Sequence, residues 1–252
     1  MSKTTVIHGT RAIIEAIRSG REIEKVYVQS GLSNELIKEL IHEAKEHNVP
    51  YSFVPEPKLL QLGAGKNHQG AVCVLAAVQY AKVEDIVDKA YSDGRDPFLL
   101  ILDRVTDVRN FGALARTAEC AGVDAIIIPD KGNAAVTADA IKTSAGALNH
   151  LAVCRVSDMK KLLRDLKENG IRIIACTEKT SNDIYKADFK SPIAIIMGSE
   201  EDGISPELLK AADQLVKIPL KGKVESLNVS VAAGVAIYEA IRQKSQITDH
   251  KS

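Results

Sequence analysis

The segment FLLILDRVTDVRNFGALARTAECAGVDAIIIP, residues 98–129, decides the fold. It opens on an unbroken apolar run, crosses a polar turn into NFGALARTAECAG, and returns to a second apolar run at residues 125–128. In the middle stretch Leu114, Thr117, Ala118 and Ala121 form one stripe, because residues three and four apart share a helical face. Strands without polar alternation must be covered on both faces, and a helix between two of them is the crossover that a parallel pair requires. The segment therefore reads as strand, helix, strand.

The rhythm continues outward. A helix near residues 137–144 is followed by LAVCRV, DMKKLLRDLKENG, RIIACT, IAIIMG, ISPELLKAA, QLVKIPL and a long helix to about residue 244. Residues 97–244 thus read as an α/β domain with a doubly wound parallel sheet. Upstream, residues 1–78 alternate short helices and strands: a helix near residues 9–18, EKVYVQ, LSNELIKELIHEAKEH, YSFV and QGAVCVLAAV. They read as a separate small α/β unit. Between the two, AKVEDIVDKAYSDGRDP is charged and ends in the turn pairs Asp93-Gly94 and Asp96-Pro97, so residues 79–96 are expected to be a linker. Residues 245–252, polar throughout, are expected to form a frayed tail.

Lysine plus arginine and aspartate plus glutamate each number 33, a formal charge of zero. That excludes a protein holding nucleic acid by overall positive potential and leaves local patches. Candidates are Lys3, Arg11, Arg18 and Arg21, then Arg104, Arg109 and Arg116, then Lys217, Lys221 and Lys223. No apolar run approaches the ~20 residues of a membrane span, and the start lacks a long apolar block, so a cytoplasmic location is expected. Cys73, Cys120, Cys154 and Cys176 form no close pair and three lie in or beside apolar stretches, which favours buried thiols over disulfides or a metal site. His42 and His47, five apart, miss the spacing of paired ligands on one helical face.

Ligands of such sheets bind at the carboxyl ends of strands, and three loops there stand out. In residues 102–123 Asn110 is suited to cap the following helix, Gly112 bares the backbone, and Arg116 lies one turn further on the same face. In residues 195–205, IIMGSEEDGIS, Gly198 and Gly203 flank Glu200 in a strand-to-helix turn where a ligand can touch the main chain. In residues 216–244 a strand passes through Pro219 and Gly222 to Ser226 and Asn228, both natural helix caps, and then to a helix opening on small residues. Each loop alone is also an ordinary turn or cap. No G-x-G-x-x-G follows a strand and no G-x-S-x-G appears. GAGKNHQG, residues 63–70, has asparagine after Lys66 and the wrong glycine spacing for a phosphate loop, so it reads as a turn.

In order, N-x-G-x-x-x-R, G-S-E-x-x-G and I-P-L-x-G-x-x-x-S-L-N-V-S resemble the three motifs of the SpoU (TrmH) family of RNA ribose methyltransferases. The likeness spans residues 97–244. VIHGTRAIIEAI and NHQGAVCVLA extend it, resembling the ribosomal-protein-like substrate domain of members that methylate a guanosine of large-subunit ribosomal RNA. The resemblance implies a Rossmann-like parallel sheet tied in a trefoil knot, a homodimer with the site near its interface, and S-adenosylmethionine as methyl donor. It assigns cofactor contacts to Gly198, Ile218 and Leu227. It assigns substrate or catalytic roles to Asn110, Arg116, Glu200, Ser226 and Asn228, with Asn110 orienting Arg116. No metal and no DNA are implied. The rival readings are the same chemistry on transfer RNA, a silent RNA-binding assembly factor, and a small-molecule enzyme.

Overall fold

A computed structural model describes residues 5–248, so Lys3 and residues 249–252 lie outside the described residues. The chain divides into two compact units, residues 5–79 with 135–139, and residues 80–134 with 140–248.

The first unit runs β1 (Val6–His8), α1 (Thr10–Arg18), β2 (Ile23–Gln29), α2 (Glu35–Glu46), β3 (Tyr51–Val54), α3 (Glu56–Leu62) and β4 (Ala71–Leu75). Its sheet has the order β1-β4-β2-β3, antiparallel except for the β2–β3 pair. Helix α1 buries Ile13, Ile14, Ala16 and Ile17, and α2 buries Ile37, Leu40 and Ala44, so both helices close the core through one apolar stripe. Asn34 starts α2 by accepting the Ile37 amide at 2.9 Å. Arg18 bridges Glu39 at 2.9 Å and Glu43 at 2.7 Å, which removes it from the basic patch expected near the start.

The second unit holds β5 (Tyr80–Ala81), α4 (Val83–Ser92), β6 (Phe98–Asp103), α5 (Val108–Cys120), β7 (Ala125–Pro129) and, from its third residue on, α6 (Ala138–Thr143). It continues with β8 (Ala152–Val156), α7 (Met159–Glu168), β9 (Arg172–Cys176), β10 (Ile193–Gly198), α8 (Pro206–Ala211), β11 (Gln214–Val216) and α9 (Val229–Thr248). The seven strands lie in the order β11-β9-β10-β6-β7-β8-β5, all parallel. Every residue of β6 and β10 is buried, as a sheet covered on both faces demands. The chain steps outward from β6 to β7 and β8, then returns on the other side, where β10 pairs with β6. The carboxyl ends of β6 and β10, with Asp103 opposite Gly198, are therefore the topological switch point.

Two boundaries differ from expectation. Residues 80–92 are not a linker: β5 pairs with β8, and α4 buries Val83, Val87 and Ala90. The stripe is narrow, and Glu84, Asp85, Asp88 and Lys89 between its members make the stretch read as charged. Helix α9 also continues through residues 245–248, previously assigned to the tail. All four cysteines are free. Cys73 and Cys154 are buried, and desolvation pushes both thiols up to about 12, whereas Cys120 is exposed.

Candidate active site

Asp103, at the end of β6, is 6% exposed and accepts the Ser205 amide at 2.7 Å. Its neighbour Arg104 takes the left-handed φ of 60° and sends its guanidinium to Asp202 at 3.0 Å and to the Gly203 carbonyl at 3.2 Å. Together they clamp the loop that follows β10. That loop closes on itself, the Ser199 and Gly203 amides donating to each other's carbonyls at 3.2 and 3.0 Å. A Cβ on Gly198 would lie 2.2 Å from the Gly203 carbonyl carbon. The backbone that touches Gly198 is thus the loop's own, where the sequence reading allowed for a ligand.

Helix α5 is capped by Asp107, whose Oδ1 accepts the Arg109 and Asn110 amides at 2.8 Å each. Asn110 is not the cap as expected; it sits in the first turn with its side chain free for tertiary use. The reason is the aspartate three residues earlier, which competes for the same amides. Asn110 Oδ1 accepts Asn228 Nδ2 at 3.0 Å, and the same nitrogen donates to Glu200 Oε1 at 2.5 Å. Asn228 Oδ1 in turn accepts the Ser230 amide at 3.0 Å at the start of α9. A backbone N–H can only donate, so it fixes which end of the Asn228 amide faces the cluster. Three residues from three loops meet here.

No hydrogen bond joins Arg116 or Ser226 to that cluster. Both are exposed, without a hydrogen-bond or ion-pair partner among the described residues. Arg116 follows Asn110 by six residues, about 120° away around the helix, so Asn110 does not orient it within this chain. The bare patch expected at Gly112 is filled: a Cβ there would meet Thr143 Oγ1 at 2.2 Å and Thr143 Cβ at 2.6 Å.

The path after β11 follows the same carboxyl edge. Lys217 pairs with the backbone of Asn182 and Ile184 at 2.8 and 2.9 Å, after which residues 218–227 make no backbone hydrogen bond among the described residues. Ile218 is half-buried, while Leu220, Val224 and Leu227 are exposed, Leu227 by 37%. Unbonded main chain beside uncovered apolar side chains is what a flat heterocycle with polar edges needs. Asp103, Arg104, Asp202 and Thr143 were missed as supports of the site. The sequence groups Arg104 with a basic patch, and the signal for its role is its place directly after a buried strand.

A doubly wound sheet with a polar cluster at its switch point and an open apolar strip beside it defines an α/β protein with a ligand site on its carboxyl edge. Residues 97–238 match the SpoU rRNA methylase family, and residues 6–81 match the model for RNA 2′-O ribose methyltransferase substrate binding. YacO of Bacillus subtilis, a TrmH family tRNA/rRNA methyltransferase by name, is 34% identical over 239 residues, covering 95% of this chain and 96% of its own. A crystal structure titled RNA 2′-O ribose methyltransferase aligns with a TM-score of 0.55 at 26% identity, over 95% of this chain and 88% of that one. The SpoU methyltransferase AviRb of Streptomyces viridochromogenes, solved with AdoMet, shares the fold with a TM-score of 0.60 at 23% identity, over 96% of this chain and 90% of its own. The chain belongs to the SpoU rRNA methylase family and is an RNA methyltransferase of the SpoU/TrmH type.

Proposed function

We propose that the protein is a cytoplasmic homodimer that moves a methyl group from S-adenosylmethionine to the ribose 2′-hydroxyl of a guanosine in large-subunit (23S) ribosomal RNA. The observation that carries this reading is the Asn110–Asn228–Glu200 cluster at the switch point of a family-defining sheet. The unbonded main chain of residues 218–227, with Ile218 and Leu227, fits the adenine end of the donor, and Gly198 ends β10 on the same carboxyl edge, two strands from β11. S-adenosylmethionine supplies a sulfonium methyl already activated for in-line displacement.

The chain's own task is alignment of the ribose oxygen and stabilisation of its developing charge. With Oδ1 held by Asn228, Asn110 keeps Nδ2 as a donor to the ribose. Ser226, exposed and unbonded, is a second contact for it. Glu200 holds Asn228 in place. Arg116 grips a phosphate and stabilises the oxyanion; a guanidinium is effectively always protonated, so base action would need a strongly altered environment.

Helix α9 packs on α5, and on α9 Val231 and Tyr238, seven residues apart, are 52% and 53% exposed. That stripe supports the homodimer, and a dimer offers Arg116 of one subunit a route to the cluster of the other. The pairing of Lys217 with Asp183, followed by the reach of Asn228 to Asn110, supports the trefoil threading.

Arg116→Ala is expected to lower methyl transfer by ~10²-fold or more while leaving S-adenosylmethionine affinity within twofold, the loss typical of one transition-state donor. Transfer to unmodified ribosomal and transfer RNA fractions, mapped to the nucleotide, tests the substrate. A single 2′-O-methylguanosine in 23S RNA supports the reading, a transfer-RNA product replaces the substrate, and normal turnover by Arg116→Ala removes Arg116 from the mechanism.

A further inference from the structure

The first unit has a cleft of its own, about 620 Å³, inside the ~300–1,000 Å³ range of small-ligand sites. Gln29, Leu32, Glu56 and Leu60 line it, and the GAGKNHQG turn supplies Lys66, Asn67 and His68. His68 is only 7% exposed. Its Nδ1 accepts the Gly70 amide at 3.1 Å, so the neutral ring carries its proton on Nε2, which has no protein partner among the described residues. His68 Nε2–H is not among the buried unpartnered polar atoms, so it is open to the cleft that the residue lines and can donate to a group that enters it.

The wall that holds His68 is held by local hydrogen bonds and packing. Asn67 Oδ1 accepts the Gln69 amide at 3.2 Å, and Thr10 Oγ1 donates to the Gln69 carbonyl at 3.1 Å. Gly70 has φ of 84°, and a Cβ there would lie 2.2 Å from Leu32 Cδ2, so Leu32 packs directly on the turn. The chemistry is that of a flat, neutral, edge-accepting ligand. Leu60, 44% exposed, offers an apolar face, His68 offers one donor, and Glu56 and Lys66 bring charges that offset each other.

We propose that this cleft takes one unstacked nucleobase of the RNA substrate, its acceptor edge on His68 Nε2–H and its face against Leu60. The inference rests on the RNA-methyltransferase reading above. Sequence-selective RNA binding works through bases splayed from single-stranded segments, and covering one base face with a leucine while its edge accepts one hydrogen bond contributes enough for a roughly tenfold effect.

The test uses the full chain and a labelled unpaired RNA of about 12 nucleotides, compared with the same strand in a duplex. Leu60→Glu and His68→Leu should each weaken single-strand binding ~10-fold, His68→Gln, which keeps an N–H, should remain within ~3-fold, and S-adenosylmethionine affinity should not change. In turnover, Leu60→Glu should raise KM for RNA and leave kcat within about twofold. Single-strand binding within twofold of the parent for Leu60→Glu overturns the proposal, and this exposed position decides should His68→Leu not fold. Free guanosine or uridine monophosphate binding more tightly than the RNA would assign the cleft to a free nucleotide instead. Methyl transfer by the parent protein is scored separately: its absence sinks the enzymatic reading, whereas transfer with an unaltered KM in Leu60→Glu sinks only the cleft.

Discussion

Gly112 and Asn228 each do work that their neighbours cannot share. A Cβ on Gly112 would fall 2.6 Å from Thr143 Cβ and 2.7 Å from its carbonyl carbon, so the collision is with backbone as well as side chain. Gly112→Ala should therefore cost about 2–3 kcal/mol in urea unfolding, the range for overpacking, although alanine is the better helix former. Adding Thr143→Ala should restore little, since Cβ and carbonyl remain; full restoration would show that only the hydroxyl stood in the way. Asn228→Asp is a sharper probe of the cluster. Aspartate keeps an oxygen for the Ser230 amide and so preserves the start of α9, but it sets a second carboxylate oxygen against Glu200 and Asn110 Oδ1. Its thermal midpoint should stay within a few degrees while methyl transfer falls ~10²-fold. Near-normal transfer in that variant would mean the cluster does not serve the chemistry.

At the scale of elements, α9 is tied to the chain before β10 by one buried amide. Gln243 Oε1 accepts the Phe189 amide at 3.0 Å and its Nε2 donates to the Ala187 carbonyl at 2.9 Å and to Glu239 at 2.7 Å. Gln243→Ala strands two buried backbone groups, at about 1–3 kcal/mol each, so a loss of about 2–4 kcal/mol is expected in urea unfolding. Glu239 adds a pH signature. Arg242 first, and Gln243 after it, hold its carboxyl below the ordinary value of 4.5, against a desolvation that pushes the other way. A carboxyl that is more acidic when folded stabilises fully above its unfolded value, and that contribution drains as pH falls through the lower folded value. The stability gap between the parent and Glu239→Gln should thus be constant at neutral pH and narrow below about pH 4.5. A gap unchanged down to pH 3 would show that the carboxylate charge contributes nothing.

For the whole molecule, a formal charge of zero leaves RNA affinity to a few cations, and the structure sorts them. Arg18 and Arg104 are spent on ion pairs, whereas Arg11, Arg21, Arg109, Arg116, Lys221 and Lys223 are exposed without side-chain partners among the described residues. With about three or four phosphate contacts on single-stranded RNA, log K against log salt should slope by only about −2 to −3. A slope near −8 would mean that many more cations than these reach the RNA. Val231→Glu with Tyr238→Glu should convert the proposed homodimer to a monomer in sedimentation equilibrium and abolish transfer with it. A dimer that survives both changes would move the interface off this face of α9.

Much was legible before any coordinates. Unbroken apolar runs with helical stripes between them dictate a parallel sheet, because backbone groups must pair and such strands tolerate no wet face. The ordered motifs carried the family, since the residues that contact a shared ligand are constrained in type and spacing. Periodicity failed where charge diluted it, in α4, and at the start of α5, where the sequence reading names Asn110 as the cap and the structure uses Asp107, three residues earlier. What only tertiary structure decided is which residues meet. Gly112 answers to Thr143, Gly198 to Gly203, and Asn110 to Asn228, 118 positions away, because strand order rather than chain order sets which loops share the carboxyl edge. Local sequence encodes the helix or strand to which a residue belongs, but contact across a sheet depends on packing summed over the whole chain, and no short window contains it.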